Sequence, residues 1–137
     1  MKVAVAVIYD DQQRVLITRR PLHATHGGMW EFPGGKLEQD ESAFTALVRE
    51  IKEEVDLDVL EADFLNQISY QYTQHAVDLL VYAVRSFQGQ ARCCEQQIDL
   101  KWVDLDALSE YVFPEANLAI LNLLQREVRL SLQLANS

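Results

Sequence analysis

The chain has 137 residues, enough for one domain with a proper buried core, and 49% of them are hydrophobic, which excludes a disordered tail. Its formal net charge of −9 repels a nucleic-acid polymer, and a polyanionic small molecule needs metal ions as mediators. No apolar run approaches the roughly 18 residues of a membrane span, no signal-peptide pattern is present, and the two adjacent cysteines, Cys93 and Cys94, make no disulfide framework, so a reducing, cytoplasmic setting is expected.

In chain order, Val3 to Tyr9 is an apolar, β-branched run. Asp10-Asp11-Gln12-Gln13 reads as a turn, and Arg14 to Arg19 returns as a second strand of a hairpin. Pro21 to Met29, with Pro, two His and Gly27-Gly28, is a loop. Trp30 to Pro33 is a short extended piece, since the residue before a proline avoids helix. Gly34-Gly35 is predicted as a tight, exposed turn. Ser42 to Val55 is the clearest helix: Phe44, Leu47, Val48, Ile51 and Val55 form one stripe, Ser42 is its N-cap, and Asp40 and Glu41 suit its positive end. Strands follow at Phe64–Tyr72, Val77–Phe87 and Leu100–Val103. Pro114-Glu115 opens a last helix through Leu118, Leu121, Leu124 and Val128. The order β-β-β-α-β-β-β-α implies an α/β (α+β) fold, a mixed sheet with helices packed on it, as a single domain over residues 1–137.

On the polar side of the first helix, Glu50, Glu53 and Glu54 stand at i, i+3 and i+4, within an arc of about 100°. In a half-shielded cleft, at about 6 Å and an effective dielectric near 20, each pair repels by about 3 kcal/mol before relaxation. A counter-cation removes that cost, and oxygen ligands favour a hard ion, Mg²⁺ or Mn²⁺. A solvated acidic face is the competing explanation of such a run. Context favours a site: Gly34-Gly35-Lys36 lies just upstream, where bare backbone approaches a phosphate or metal, and Arg49 and Glu41 are placed to pin the loop to the helix by an ion pair.

Gly35, Glu41, Arg49-Glu50-Ile51, Glu53-Glu54 and Leu57, with five residues between the first two and seven between the next, resemble the Nudix box. The resemblance implies the family's α/β/α sandwich, divalent metal on Glu50, Glu53 and Glu54 with the Gly34 carbonyl as a further ligand, and structural roles for Glu41 and Arg49. One position departs from the pattern: the family's glycine at the helix C-terminus is Asp56 here. Asp tolerates the left-handed conformation at a cost of about 1 kcal/mol, so lost stability or a shifted loop is expected, and no metal ligand is lost.

Outside the box, Ile17-Thr18-Arg19-Arg20, Trp30-Glu31-Phe32-Pro33-Gly34-Gly35-Lys36 and Phe113-Pro114-Glu115-Ala116-Asn117 resemble the MutT branch, which hydrolyses oxidised purine triphosphates. This implies a substrate site of Arg20, Glu31, Phe32, Pro33, Gly34, Tyr72 and Asn117. Arg20 lies beside the base, Phe32 or Tyr72 stacks on it, and Asn117 reads a modified guanine. Glu95 stands where that branch has a further metal-linked glutamate. The implied reaction is water attack on the β-phosphorus of 8-oxo-dGTP, giving monophosphate and pyrophosphate. Glu50 or Glu95 is the base, Glu53 is required for turnover, and Lys36 offsets phosphate charge. The alternatives are a Nudix hydrolase of pyrimidine (5-methyl-dCTP-like) nucleotides and a non-catalytic nucleotide sensor. His23, His26 and His75 show no metal spacing, with His26 placed near the nucleotide. A monomer is expected, although Leu130, Leu132 and Leu134 leave the last helix apolar over much of its surface.

Overall fold

The computed structural model describes residues 1–135; the last two residues of the expected domain, Asn136 and Ser137, lie outside them. Strand β1 (Lys2–Ile8) turns through Asp10–Gln13 into β2 (Arg14–Arg19). Asp10 makes that turn: one carboxylate oxygen accepts the N–H groups of Gln12 and Arg14, and the other accepts from the Arg14 guanidinium at 2.8 Å. The chain continues through β3 (Trp30–Glu31), β4 (Gly34–Lys36), α1 (Ala43–Val55), β5 (Asp58–Gln71), β6 (Ala76–Gln88) and β7 (Asp99–Asp104). A 3₁₀ turn (Leu105–Glu110) then leads to α2 (Glu115–Ala135).

The strands form two sheets, ordered β4-β1-β6-β5 and β3-β2-β7. The first is mixed, because β1 runs parallel to β6 and antiparallel to β4. Strand β1 is buried on both faces, and its period of two divides the core. Val5, Val7 and Tyr9 point to one side, with Ile120, Leu121 and Leu124 of α2. Ala4, Ala6 and Ile8 point to the other, with Leu47, Ile51 and Val55 of α1. Each fully buried Leu or Ile contributes about 1.5–3 kcal/mol. The result is the expected α/β/α sandwich.

The structure corrects three local expectations and adds one element. Gly34-Gly35 is no turn. It begins β4, paired Val5 to Gly34 and Ala4 to Gly35, because a residue without a Cβ lets the two backbones meet. Strand β5 starts at Asp58, two residues after the helix cap, rather than at Phe64, and bulges absorb its irregular pattern. Phe44 leaves the predicted stripe: it is 41% exposed, and Ala46 takes a buried place instead. The 3₁₀ turn before α2 was not foreseen.

Candidate functional site

Helix α1 presents its acidic face because its apolar stripe fixes its rotation. Ser42 caps the first turn by accepting the Thr45 N–H at 3.1 Å. At the other end Asp56 takes φ 60, the left-handed cap expected of it, and donates its N–H to the Lys52 carbonyl. With Leu47, Ile51 and Val55 buried, Glu50 and Glu54 face β4. A Cβ at Gly35 would lie 2.2 Å from the Glu50 carboxyl carbon, and one at Gly34 would lie 2.1 Å from the Ala4 carbonyl oxygen. The Gly34 N–H donates to Glu54 Oε2 at 3.0 Å.

The expected Arg49–Glu41 pair is a two-point fork, Nε to Oε2 and Nη2 to Oε1, both 2.9 Å. Arg49 also donates to the Lys36 carbonyl and, through Nη1, to Glu50 at 2.8 Å, with Glu53 3.5 Å away. The guanidinium therefore ties the loop before the helix to the acidic face. It holds the Glu41 carboxyl down at about 2.

Glu54 has no such cation. Burial pushes its carboxyl from 4.5 to about 9, against the Gly34 hydrogen bond and with the negative charges of Glu31, Glu50 and Glu95 adding to the rise. Glu95, in the loop before β7, is raised by burial and by Glu50 and Glu53. These carboxylates lie within electrostatic reach of one another. As the side chains stand, no group of three His, Cys, Asp or Glu residues is gathered closely enough to hold a metal ion, among the described residues. The donor set nevertheless fits a hard divalent cation: it is all oxygen, and its most buried member is a carboxylate that ionises only with difficulty without positive charge beside it.

Next to this face is a cleft of about 610 Å³. It is lined by Arg20, Glu31, Phe32, Gly34, Tyr72 and Asn117, the residues expected at a substrate apart from Pro33, and by Lys36, expected to offset phosphate charge. Pro33 is buried and gives its carbonyl to the Ala6 N–H. Glu50, Glu53, Glu54 and Glu95 are outside the lining, and Gly34 joins the two regions, since it lines the cleft and bonds Glu54. Arg20 pairs with Glu31 at 2.9 Å. Phe32 stacks on Phe113, with ring centroids 5.3 Å apart, and is 4% exposed. Asn117 Oδ1 accepts the Phe32 N–H at 3.1 Å. A larger groove of about 730 Å³, lined by Gln12, Asp104 and Arg129 among others, contains none of the expected site residues.

Sequence reasoning missed several parts of this site. Val3, Val5, Val77 and Leu79 form apolar wall, which β1 alternation alone could not assign to a cleft. His75 stacks on Tyr72 at the mouth, while His26 lines the cleft as expected. The contacts of the Glu95 loop with the end of α1 had no sequence signal, being hydrogen bonds to backbone carbonyls and one ion pair, Arg92 on Asp56, between residues far apart in sequence.

A NUDIX domain model matches residues 4–123. The chain is 36% identical to an 8-oxo-dGTP diphosphatase of Proteus vulgaris over 66% of its own length and 80% of that protein. It is 30% identical to the CTP pyrophosphohydrolase of Escherichia coli over 85% and 86% of the two chains. Among solved structures it is similar to the MutT NUDIX hydrolase of Burkholderia pseudomallei, with a TM-score of 0.80, 28% identity, and coverage of 88% and 95%. Among the described residues, no helix is long and apolar enough to cross a membrane.

Proposed function

Because this chain belongs to the Nudix hydrolase family and is MutT-like within it, we propose that it hydrolyses 8-oxo-dGTP and related oxidised purine triphosphates to the monophosphate and pyrophosphate. The observation that supports 8-oxoguanine over guanine is the Asn117–Phe32 hydrogen bond. An amide oxygen has two acceptor sites and its nitrogen two donors. With Oδ1 bound to the Phe32 amide, the side chain cannot flip without setting N–H against N–H. Asn117 therefore offers the cleft a fixed acceptor and a fixed donor. An 8-oxoguanine edge answers both, with N7–H and O6. Guanine places the N7 lone pair against Oδ1 instead, a mismatch of about 1–3 kcal/mol.

Glu50, Glu53, Glu54 and Glu95, with the Gly34 carbonyl, are the groups that would hold Mg²⁺, or Mn²⁺ in its place. When bound, such an ion supplies neutralisation of the triphosphate and a water of lowered pKa. The remaining chemistry belongs to the chain. Lys36, exposed at the edge of the cleft, offsets phosphate charge. Glu50 or Glu95 takes the attacking water's proton on a carboxylate oxygen. The water oxygen bonds to the β-phosphorus, the bond from that phosphorus to the bridging oxygen breaks, and the monophosphate leaves. Arg20, held by Glu31 and by the Thr25 carbonyl at 2.7 Å, borders the base. The exposed, free Cys93 and Cys94 fit a reducing cytoplasm.

A second reading has support from similarity to the CTP pyrophosphohydrolase. A cytosine edge, with N4–H₂ and N3, also answers one acceptor and one donor, so Asn117 alone does not exclude it. Pyrophosphate release with Mg²⁺ over 8-oxo-dGTP, dGTP, CTP and 5-methyl-dCTP decides. Preference for 8-oxo-dGTP is expected. Preference for a pyrimidine installs the second reading, and no hydrolysis of any triphosphate overturns both.

A further inference from the structure

We propose that Asp56 and Arg92 are positioning residues for Glu95, and that this is why an aspartate occupies a left-handed helix cap where glycine would sit without strain. The proposal rests on the reading of Glu95 given above.

Asp56 holds φ 60, a conformation that costs a side chain more than it costs glycine. Strain of this kind persists where surrounding contacts over-determine it. Here the carboxylate has two cationic partners. Oδ2 accepts from Arg92 Nε at 3.1 Å and from Nη2 at 2.7 Å. Oδ1 lies 3.1 Å from Lys52 Nζ. Arg92 is 68% exposed, and an ion pair this wet adds little to stability, so its consequence is geometric.

The geometry it fixes is that of the loop between β6 and β7. The Arg92 N–H donates to the Val55 carbonyl and the Cys94 N–H to the Glu54 carbonyl, each at 3.0 Å. The Gln97 side chain spans the turn: Nε2 donates to the same Glu54 carbonyl at 2.9 Å, and Oε1 accepts the Glu95 N–H at 2.8 Å. Gln96, at φ 64, turns the chain between them. Glu95 thus lies, with Gln96, between two anchors on one carbonyl of α1, the carbonyl of Glu54 itself. The Asp56–Arg92 fork fastens the entry to that loop. It also accounts for a loop with no regular structure of its own carrying a side chain to the acidic face.

The test uses the full chain with single variants Asp56→Asn and Arg92→Ala, each also made on Glu95→Gln. Asparagine tolerates the left-handed cap, so Asp56→Asn keeps the backbone conformation and removes the charge together with one of the two acceptor oxygens. Turnover of the best triphosphate should fall about tenfold in each single variant, with melting unchanged, since misplacement of a reacting group costs up to about a hundredfold. On Glu95→Gln neither change should slow the enzyme further. Arg92→Lys should recover part of the rate. Amide exchange at Cys94 should quicken in Arg92→Ala while Ile51 to Val55 stay protected. Equal losses in both backgrounds, or full turnover in Asp56→Asn and Arg92→Ala while Glu95→Gln is slow, overturns the positioning role alone. So does an unchanged Cys94 exchange rate. Wild-type turnover in Glu95→Gln overturns the role of Glu95 first and this proposal with it, as does a wild-type chain that hydrolyses nothing.

Discussion

At Glu54 the fold buries a carboxylate beside the negative charges of Glu31, Glu50 and Glu95. An acid that titrates higher in the fold than in the open chain costs stability as pH rises from its ordinary 4.5 toward about 9. Melting temperature in EDTA should therefore fall as pH rises across that window. A divalent cation should restore it most at the alkaline end, and Glu54→Gln should flatten the curve. Identical curves for the wild type and Glu54→Gln in EDTA contradict the assignment. At Asn117, Asn117→Asp keeps an acceptor for the Phe32 amide and removes the donor for O6. The protein should melt normally, and kcat/KM on 8-oxo-dGTP should fall about tenfold or more. An unchanged value would remove Asn117 from the base. The Glu41–Arg49 pair was legible in the sequence because its partners are eight residues apart across the start of one helix, and the left-handed Asp56 was legible because the Nudix pattern it resembles has glycine there. The Arg92 fork on Asp56 was not, because it joins residues brought together only by the sandwich.

Helix α1 and strand β4 show why some elements could be read and others not. The helix has a stripe, a serine cap and an acidic face, all local signals that agree. Strand β4 has Gly34 and Gly35, which read as a turn because glycine carries no strand propensity. What makes them a strand is contact with β1 and with Glu50, which is non-local. The two glycines should respond differently to a methyl group. Gly34→Ala meets the backbone of Ala4, and the β1–β4 pairing must shift; a loss of stability of about 1–3 kcal/mol is expected. Gly35→Ala meets only the end of the Glu50 side chain, which can move. That variant should melt near the wild-type temperature and lose most of its turnover. Denaturant melts and steady-state rates on the two variants check this, and equal stability losses would contradict it.

Across the whole molecule, the net charge of −9 fits a protein whose polyanionic ligand is met by a cation and a few placed basic groups rather than by a basic surface. The mixed sheet fixes that placement. Its central strand β1 supplies apolar wall to the cleft through Val3 and Val5 and pairs through its edge with β4, which carries Gly34 and Gly35 toward α1. Family membership and sandwich architecture were readable from one motif and the order of elements. The polar lining of the cleft was named through the resemblance, but its apolar wall was not, since Val3 and Val5 of β1 and Val77 and Leu79 of β6 meet only in the folded sheet. The central claim is that this cleft delivers an oxidised guanine nucleotide to the glutamate face. Its most direct test is the ratio of kcat/KM for 8-oxo-dGTP to that for dGTP, measured with Mg²⁺ well below saturation by either nucleotide. A preference for 8-oxo-dGTP of about 5- to 150-fold is expected from one mismatched buried hydrogen bond. Equal values for the two nucleotides would contradict the account.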